Sequence, residues 1–259
     1  MIANFMKDPT ANSLAVIVLI ALVISFIGSL LLMLRESPVS QGKGWYTGLL
    51  LFFPVLGLPS ALDLLQSGGL ASGLASIFFI ALGLSIVMSL LSLSKKSSQK
   101  IVAGWHQWAI PVLVMGGLAV AGYLAFVEST HVETSCGPVG NCGTVQHSPY
   151  AVLFGFLPVG LLGFSGYAVI LLAWLVGRRA NGAVKKWSAL TIWGLCIFGV
   201  FFSAYLTFLE PFVIGATCMW CIASAVLMIL LLWVATPRAQ EALTIDKTFS
   251  SSDLEPELP

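Results

Sequence analysis

Four of the five cysteines in this chain fall into two close pairs, and paired thiols support a short list of chemistries. Cys136 and Cys142 lie in the polar stretch Ser135–Tyr150 (SCGPVGNCGTVQHSPY), separated by five residues that include two glycines and a proline. A loop of that make-up bends enough to bring the two Cα atoms within the roughly 7 Å that a disulfide allows. Cys218 and Cys221 form C-M-W-C after a polar turn, at the start of an apolar run. On a helix, positions i and i+3 share a face. The first helical turn, with its free N–H groups and positive dipole end, favours a thiolate. Cys196 stands alone inside an apolar run and reads as a small buried hydrophobe. Spacing alone leaves three readings open. The pairs are structural disulfides of an oxidising compartment, or a zinc site completed by His131 or His147, or a relay passing electrons from a wet pair to one at the lipid edge. The zinc reading is disfavoured because C-x5-C is not a usual knuckle spacing.

The elements that must position these thiols are membrane helices. The 259-residue chain is 58% hydrophobic and 9% charged, far more apolar than a soluble domain. Its formal net charge of +1 provides no basic face for nucleic acid. Runs of about 20 uncharged residues, each able to span a bilayer as a helix, predict seven spans. They are Leu14–Leu34, Trp45–Leu65, Leu70–Leu93, Trp108–Val127, Ala151–Val176, Trp187–Leu209 and Thr217–Ala235. The second carries Pro54, Pro59 and Asp63 and is expected to be kinked. The first is too long, and its Lys7–Asp8 flank too weakly cationic, for a signal peptide. Lys and Arg collect in alternate loops, whereas the Gln66–Gly69 turn, the Glu128–Tyr150 loop and the Glu210–Ala216 turn have none. That asymmetry predicts a cytoplasmic C-terminus and places both cysteine pairs on the extracytoplasmic side.

Trp45, Trp105, Trp108, Trp187 and Trp233 fall near the predicted cytoplasmic boundaries, as an aromatic belt would. Asp63, Glu128 and Glu210 fall near the opposite ends and read first as interfacial anchors, with a proton path as the alternative. The run Gly155, Gly160, Gly163, Gly166 suits close helix packing. The stretch KKSSQK (Lys95–Lys100) marks a seam, and the polar, acidic Thr236–Pro259 reads as a disordered tail.

Cys136-x5-Cys142, then Ser148, then FGFLPVGLLGFSGY (Phe154–Tyr167), then C-M-W-C opening the last helix, together resemble the vitamin K epoxide reductase family, bacterial branch. The likeness covers roughly residues 105–235. Unrelated quinone-reducing thiol oxidases of bacteria place their C-x-x-C before the other pair, which argues against that assignment.

The resemblance implies an all-α integral membrane protein with three parts. Residues 1–100 would be an N-terminal extension with three transmembrane helices, 101–235 a four-helix transmembrane bundle, and 236–259 the cytoplasmic tail. It further implies a thiol:quinone oxidoreductase of the bacterial inner (cytoplasmic) membrane that supports disulfide formation. A separate thioredoxin-like periplasmic or extracytoplasmic protein is the expected partner, since no fused domain of that kind is expected in this chain. Its dithiol would attack Cys142, the released Cys136 would reduce Cys218–Cys221, and Cys221 would face a quinone of the ubiquinone or menaquinone type. Ser148 resembles the family residue that hydrogen-bonds the quinone oxygen, although it reads equally well as an N-cap ahead of Pro149. Tyr205, one span away, is a candidate to line the quinone pocket. The chemistry calls for no metal and no flavin. A quinone or quinone-epoxide reductase, and a membrane scaffold with merely structural disulfides, are the alternatives.

Overall fold

Asp8 and Pro9 start the first long helix in the way their chemistry dictates. The Asp8 carboxylate accepts from the Ala11 N–H (3.2 Å) and the Thr10 hydroxyl (2.9 Å), while Pro9 occupies a first-turn position that needs no N–H donor. The computed structural model describes residues 2–34, 99–130, 132, 136, 140–153 and 155–252, with 2–3, 99–107 and 244–252 described by backbone alone. A short helix α1 (Ile2–Phe5) precedes α2 (Pro9–Leu34). Then come α3 (Gln99–Thr130), α4 (Cys142–Gln146), a 3-10 turn (Pro149–Ala151) and a two-stranded hairpin. The hairpin is β1 (Val152–Leu153) and β2 (Leu157–Pro158), antiparallel with Val152 opposite Pro158. It leads into α5 (Val159–Arg179), α6 (Ala183–Leu209), a π-turn (Glu210–Ile214) and α7 (Met219–Ser252).

Among the described residues, five helical stretches are long and apolar enough to cross a membrane: Pro9–Leu34, Trp108–Thr130, Val159–Arg179, Ala183–Ile214 and Met219–Leu243. The protein is a multi-pass, all-α membrane protein. The expected spans Trp45–Leu65 and Leu70–Leu93 lie outside the described residues. The expected span Ala151–Val176 is displaced toward the C-terminus. Pro149, Pro158 and a left-handed Gly155 (φ +78) interrupt any helix before Val159, so the segment ahead of it folds as turn and hairpin.

Small residues let α2 into the bundle. Its buried face is Ala11, Asn12, Ala15, Val18, Ala21, Leu22, Ser25 and Ser29, at helical spacing, and it packs along both α6 and α7. Residues 2–34 and those from Trp108 onward form one compact unit. Hydrogen bonds tie α2 at both ends. At one, Thr217 Oγ1 donates to Asn12 Oδ1 (2.9 Å). At the other, Ser29 Oγ pairs with Thr236 Oγ1 (2.8 Å), Trp193 Nε1 donates to Ser29 Oγ (2.9 Å) and Gln240 Nε2 donates to the Leu32 carbonyl (3.0 Å).

These last contacts explain a departure from the expected disordered tail. Thr236 and Gln240 are buried against α2, and α7 continues through Pro237 to Ser252. Trp233 is likewise buried in the bundle, unlike a belt residue. Trp108 and Trp187 are exposed, and the Arg178 guanidinium lies over the Trp108 ring at 4.9 Å, as a boundary pair would.

Between α3 and α5 the approach is close enough to involve backbone. A Cβ on Gly160 would stand 2.6 Å from the Ala125 nitrogen, so only glycine fits there. Gly163 faces Ala121, while Gly155 serves the hairpin turn and Gly166 has open space around it. The expected small-residue packing therefore holds at two of the four glycines.

Candidate functional site

Both cysteine pairs meet at one end of the bundle. Cys136 and Cys142 are joined as a disulfide with Cα atoms 5.6 Å apart, and Cys142 opens the short helix α4. Asn141 caps that helix, its side chain accepting from the Thr144 N–H at 3.1 Å. Cys218 stands immediately before α7 and Cys221 in its first turn, with the Cys218 carbonyl accepting the Ile222 N–H at 3.0 Å. Cys142 and Cys218, both fully buried, share one apolar cluster with Leu124, Val145 and Ala216, and Cys136 and Cys221 pack against it. Cys196 is buried away from the others in mid-α6.

The loop is docked onto the C-x-x-C by its backbone. The Asn141 N–H donates to the Thr217 carbonyl at 3.0 Å, one residue ahead of Cys218. Gly140 has φ +90, and a Cβ there would collide with the same Thr217 carbonyl oxygen. Glycine is thus required twice, for conformation and for space. Thr217 is held from behind by Asn12, so α2 supports the site.

Cys218 is the sulfur prepared to be a thiolate. Hydrogen bonding from the Cys221 thiol holds its pKa below the ordinary cysteine value, with further help from the backbone N–H groups of Cys221 and Trp220 and from the Gln146 side chain, against the opposing effect of burial.

Beneath the pairs lies a cavity of about 240 Å³ between α3, α5, α6 and α7. Its walls are mostly apolar, with Leu162, Phe198, Phe202 and Met228 among them. Of the four paired cysteines, Cys221 alone lines it. Ser148 also lines it, positioned ahead of Pro149 as an N-cap would be, but its hydroxyl donates to the Val145 carbonyl (2.7 Å). Tyr205 is not among the lining residues. It is 48% exposed on the far side of α6, its ring 6.5 Å from that of Phe202. Tyr167 is the buried aromatic hydroxyl in the cavity, bonded to Ser224 Oγ at 3.1 Å. The Gly117 position leaves room for its ring.

Two acids expected to anchor at the interface do other work. The Glu128 carboxylate accepts the Gly160 N–H (2.8 Å) at the start of α5. Glu210 is 2% exposed and turns inward beneath the C-x-x-C, accepting the Cys218 N–H at 3.2 Å. Its signal in the sequence was an acid in E-P just past the end of an apolar span, where a proton path was the alternative to an anchor. Gln146 and Asn12 had no such signal. His147 is exposed, its Nδ1 2.8 Å from the Gly143 carbonyl, and His131 lies outside the described residues. No group of three or more candidate metal ligands occurs among the described residues.

The cavity fits a quinone ring. It is an apolar slot with a few convergent polar groups, the usual make-up of a small-molecule site. Among those groups, Gln146 Oε1 and Glu210 Oε1 are buried without a hydrogen-bond partner among the described residues. Residues 108–236 match the model of the Vitamin K epoxide reductase family. The search of curated proteins found no match.

Proposed function

Because the segment 108–236 belongs to the vitamin K epoxide reductase family, whose members are membrane oxidoreductases, we propose that this chain is a thiol:quinone oxidoreductase that supports disulfide formation outside the cytosol. The observation that carries this reading is the buried cluster that holds Cys142 and Cys218, with Cys136 and Cys221 packed against it and Cys221 at the wall of an apolar cavity.

Cys136 and Cys142 are the entry pair. A thiolate of a separate thioredoxin-like protein attacks Cys142, and the Cys136 thiolate leaves. The partner's second thiol then displaces Cys142 and departs with its own disulfide. In its oxidised state Cys218–Cys221 is the acceptor. The Cys136 thiolate attacks Cys218, Cys221 leaves, and Cys142 closes back on Cys136 to release Cys218. Cys218 suits both roles, since a lowered pKa makes it a good leaving group in the last step. The Gly140–Thr217 contact keeps the entry pair over its acceptor.

A quinone bound in the cavity supplies an acceptor for two electrons and two protons. Cys221, Ser148, Tyr167 and Ser224 are the residues placed to hold it, with Phe202 as an aromatic wall. The Ser148 hydroxyl must turn from Val145 to donate to a ring oxygen. The side of the membrane follows from the distribution of Lys and Arg, which leaves the cysteine loop and the Glu210–Ala216 turn without a cation. The same count puts the C-terminus in the cytoplasm, in keeping with a bacterial inner-membrane protein.

The test is quinone reduction by the purified protein with a reduced thioredoxin-like protein as donor. Cys221→Ala should abolish turnover, and undiminished turnover overturns the reading. Cys136→Ser should trap a covalent complex through Cys142, which a scaffold with structural disulfides would never form.

A further inference from the structure

A buried dithiol that becomes a disulfide must lose two protons as well as two electrons, and the C-x-x-C pair sits at the inner, less accessible end of the relay. Cys218 is fully buried, and Cys221 faces the cavity. From the geometry we infer that Glu210 is the proton carrier of the C-x-x-C pair, giving a proton to Cys221 when its disulfide is cleaved and taking one back when it closes. This rests on the reading that Cys218 and Cys221 cycle between dithiol and disulfide.

The local backbone exists to present this carboxyl. Glu210 opens a five-residue π-turn between α6 and the C-x-x-C, a geometry found mostly at functional sites. Its carbonyl accepts the Gly215 (2.8 Å) and Ala216 (3.2 Å) N–H groups, which folds the chain back so that Cys218 arrives over the Glu210 side chain. Oε2 is fixed by the Cys218 N–H at 3.2 Å. The Cys221 thiol lies within hydrogen-bonding reach of the carboxyl. Oε1 is buried, has no hydrogen-bond partner among the described residues, and belongs to a residue on the wall of the same cavity as Cys221. A structural acid in such a place would be expected to have both oxygens satisfied.

Charge bookkeeping leads to the same conclusion. Among the described residues, no Lys, Arg or His lines the cavity. The titratable groups facing Glu210 are Cys218 and Cys221, and the others around the cavity are Glu128 of α3, Tyr167 of α5 and Tyr150. A Cys221 thiolate beside the Glu210 carboxylate would place two like charges out of water with no counter-charge among the described lining residues. The cost falls if one proton moves as one charge appears.

The step balances as follows. The Cys136 thiolate attacks the Cys218 sulfur, the Cys136–Cys218 bond forms, and the Cys218–Cys221 bond breaks with its electron pair on Cys221. Glu210 passes its proton to that sulfur and becomes the carboxylate. The negative charge that began on Cys136 thus ends on Glu210, and no net charge is created. Cys142 then closes on Cys136, its thiol proton passing to the released Cys218. Return of the Cys218–Cys221 dithiol to the disulfide hands the Cys221 proton back to Glu210.

The test needs no quinone. The full chain in lipid nanodiscs is cycled between dithiol and disulfide with dithiothreitol and oxidised glutathione while infrared difference spectra are recorded. Thiol alkylation of the same sample reports the state of Cys218 and Cys221. We expect a carboxyl C=O band to be lost on reduction, to shift in D2O, to vanish in Glu210→Gln and to persist in Glu128→Gln. Glu210→Gln keeps a carbonyl acceptor for the Cys218 N–H, and its turnover should fall roughly 100-fold, the lower end for a positioned acid–base group. Glu210→Asp should restore part of that turnover. A wild-type protein whose cysteines cycle with no change in any carboxyl band overturns the inference while leaving the proposed function intact. A band that survives in Glu210→Gln also overturns it. Cysteines that never cycle overturn both.

Discussion

Four sulfurs carry the chemistry, and their environments divide the labour. Cys142 and Cys218 lie in the apolar cluster, whereas Cys221 reaches the cavity wall. The lowered pKa of Cys218 comes first from the Cys221 thiol. A group whose folded pKa is depressed keeps its charged form at lower pH than in the unfolded chain, and gives up that stabilisation as pH falls through the folded value. In the reduced protein, thiolate absorbance from Cys218 should therefore persist below the ordinary cysteine range. Cys221→Ala removes the donor and should move that midpoint to higher pH, whereas Cys221→Ser retains a donor and should move it less. A midpoint indifferent to both substitutions would disconnect the two sulfurs. These residue types and spacings were legible in the chain. Glu210 was visible as an acid just past an apolar run and was read first as an anchor and second as part of a proton path, because nothing in one dimension says that a π-turn folds it under Cys218.

At the scale of elements, the site depends on a loop pressed onto a helix start. Gly140 and Asn141 hold the entry pair over Thr217, and no part of that contact is local in sequence. Gly140→Ala puts a side chain into a left-handed conformation, at a cost of about 1–3 kcal/mol, and drives its Cβ against the Thr217 carbonyl. The Cys136–Cys142 disulfide should still form. Exchange between the two pairs should slow by roughly tenfold, in line with that cost, as followed by rapid acid quench and alkylation. Unchanged exchange would mean that the docking contact is dispensable. The five predicted spans that fall on described residues were found as helices, since uncharged runs of bilayer length have few alternatives. The exception was the segment before Val159, where two prolines and a left-handed glycine made a hairpin.

For the molecule as a whole, the first helix is part of the site-bearing unit. Its Asn12 is fully buried, donating to the Phe5 carbonyl (2.9 Å) and accepting from Thr217 across more than two hundred residues of chain. Asn12→Leu leaves two buried polar groups unpaired, a penalty of about 1–3 kcal/mol. It should lower the thermal midpoint by a few degrees and slow turnover. Ser13→Ala, on the exposed face, should do neither. Equal behaviour of the two variants would detach α2 from the site.

Composition and periodicity by themselves determined a membrane protein built of helices, the sidedness expected from its cations, and two cysteine pairs in an order that resembles one family. Those features are set by chain-local quantities: the length of an apolar run, the charge of a loop, the spacing of two thiols. Only the tertiary structure decided that both pairs share one buried cluster, that Tyr167 rather than Tyr205 faces the cavity, and that Glu210 and Asn12 stand behind the C-x-x-C. Each of these is a contact between distant segments, and it exists because close packing of small residues brings those segments together.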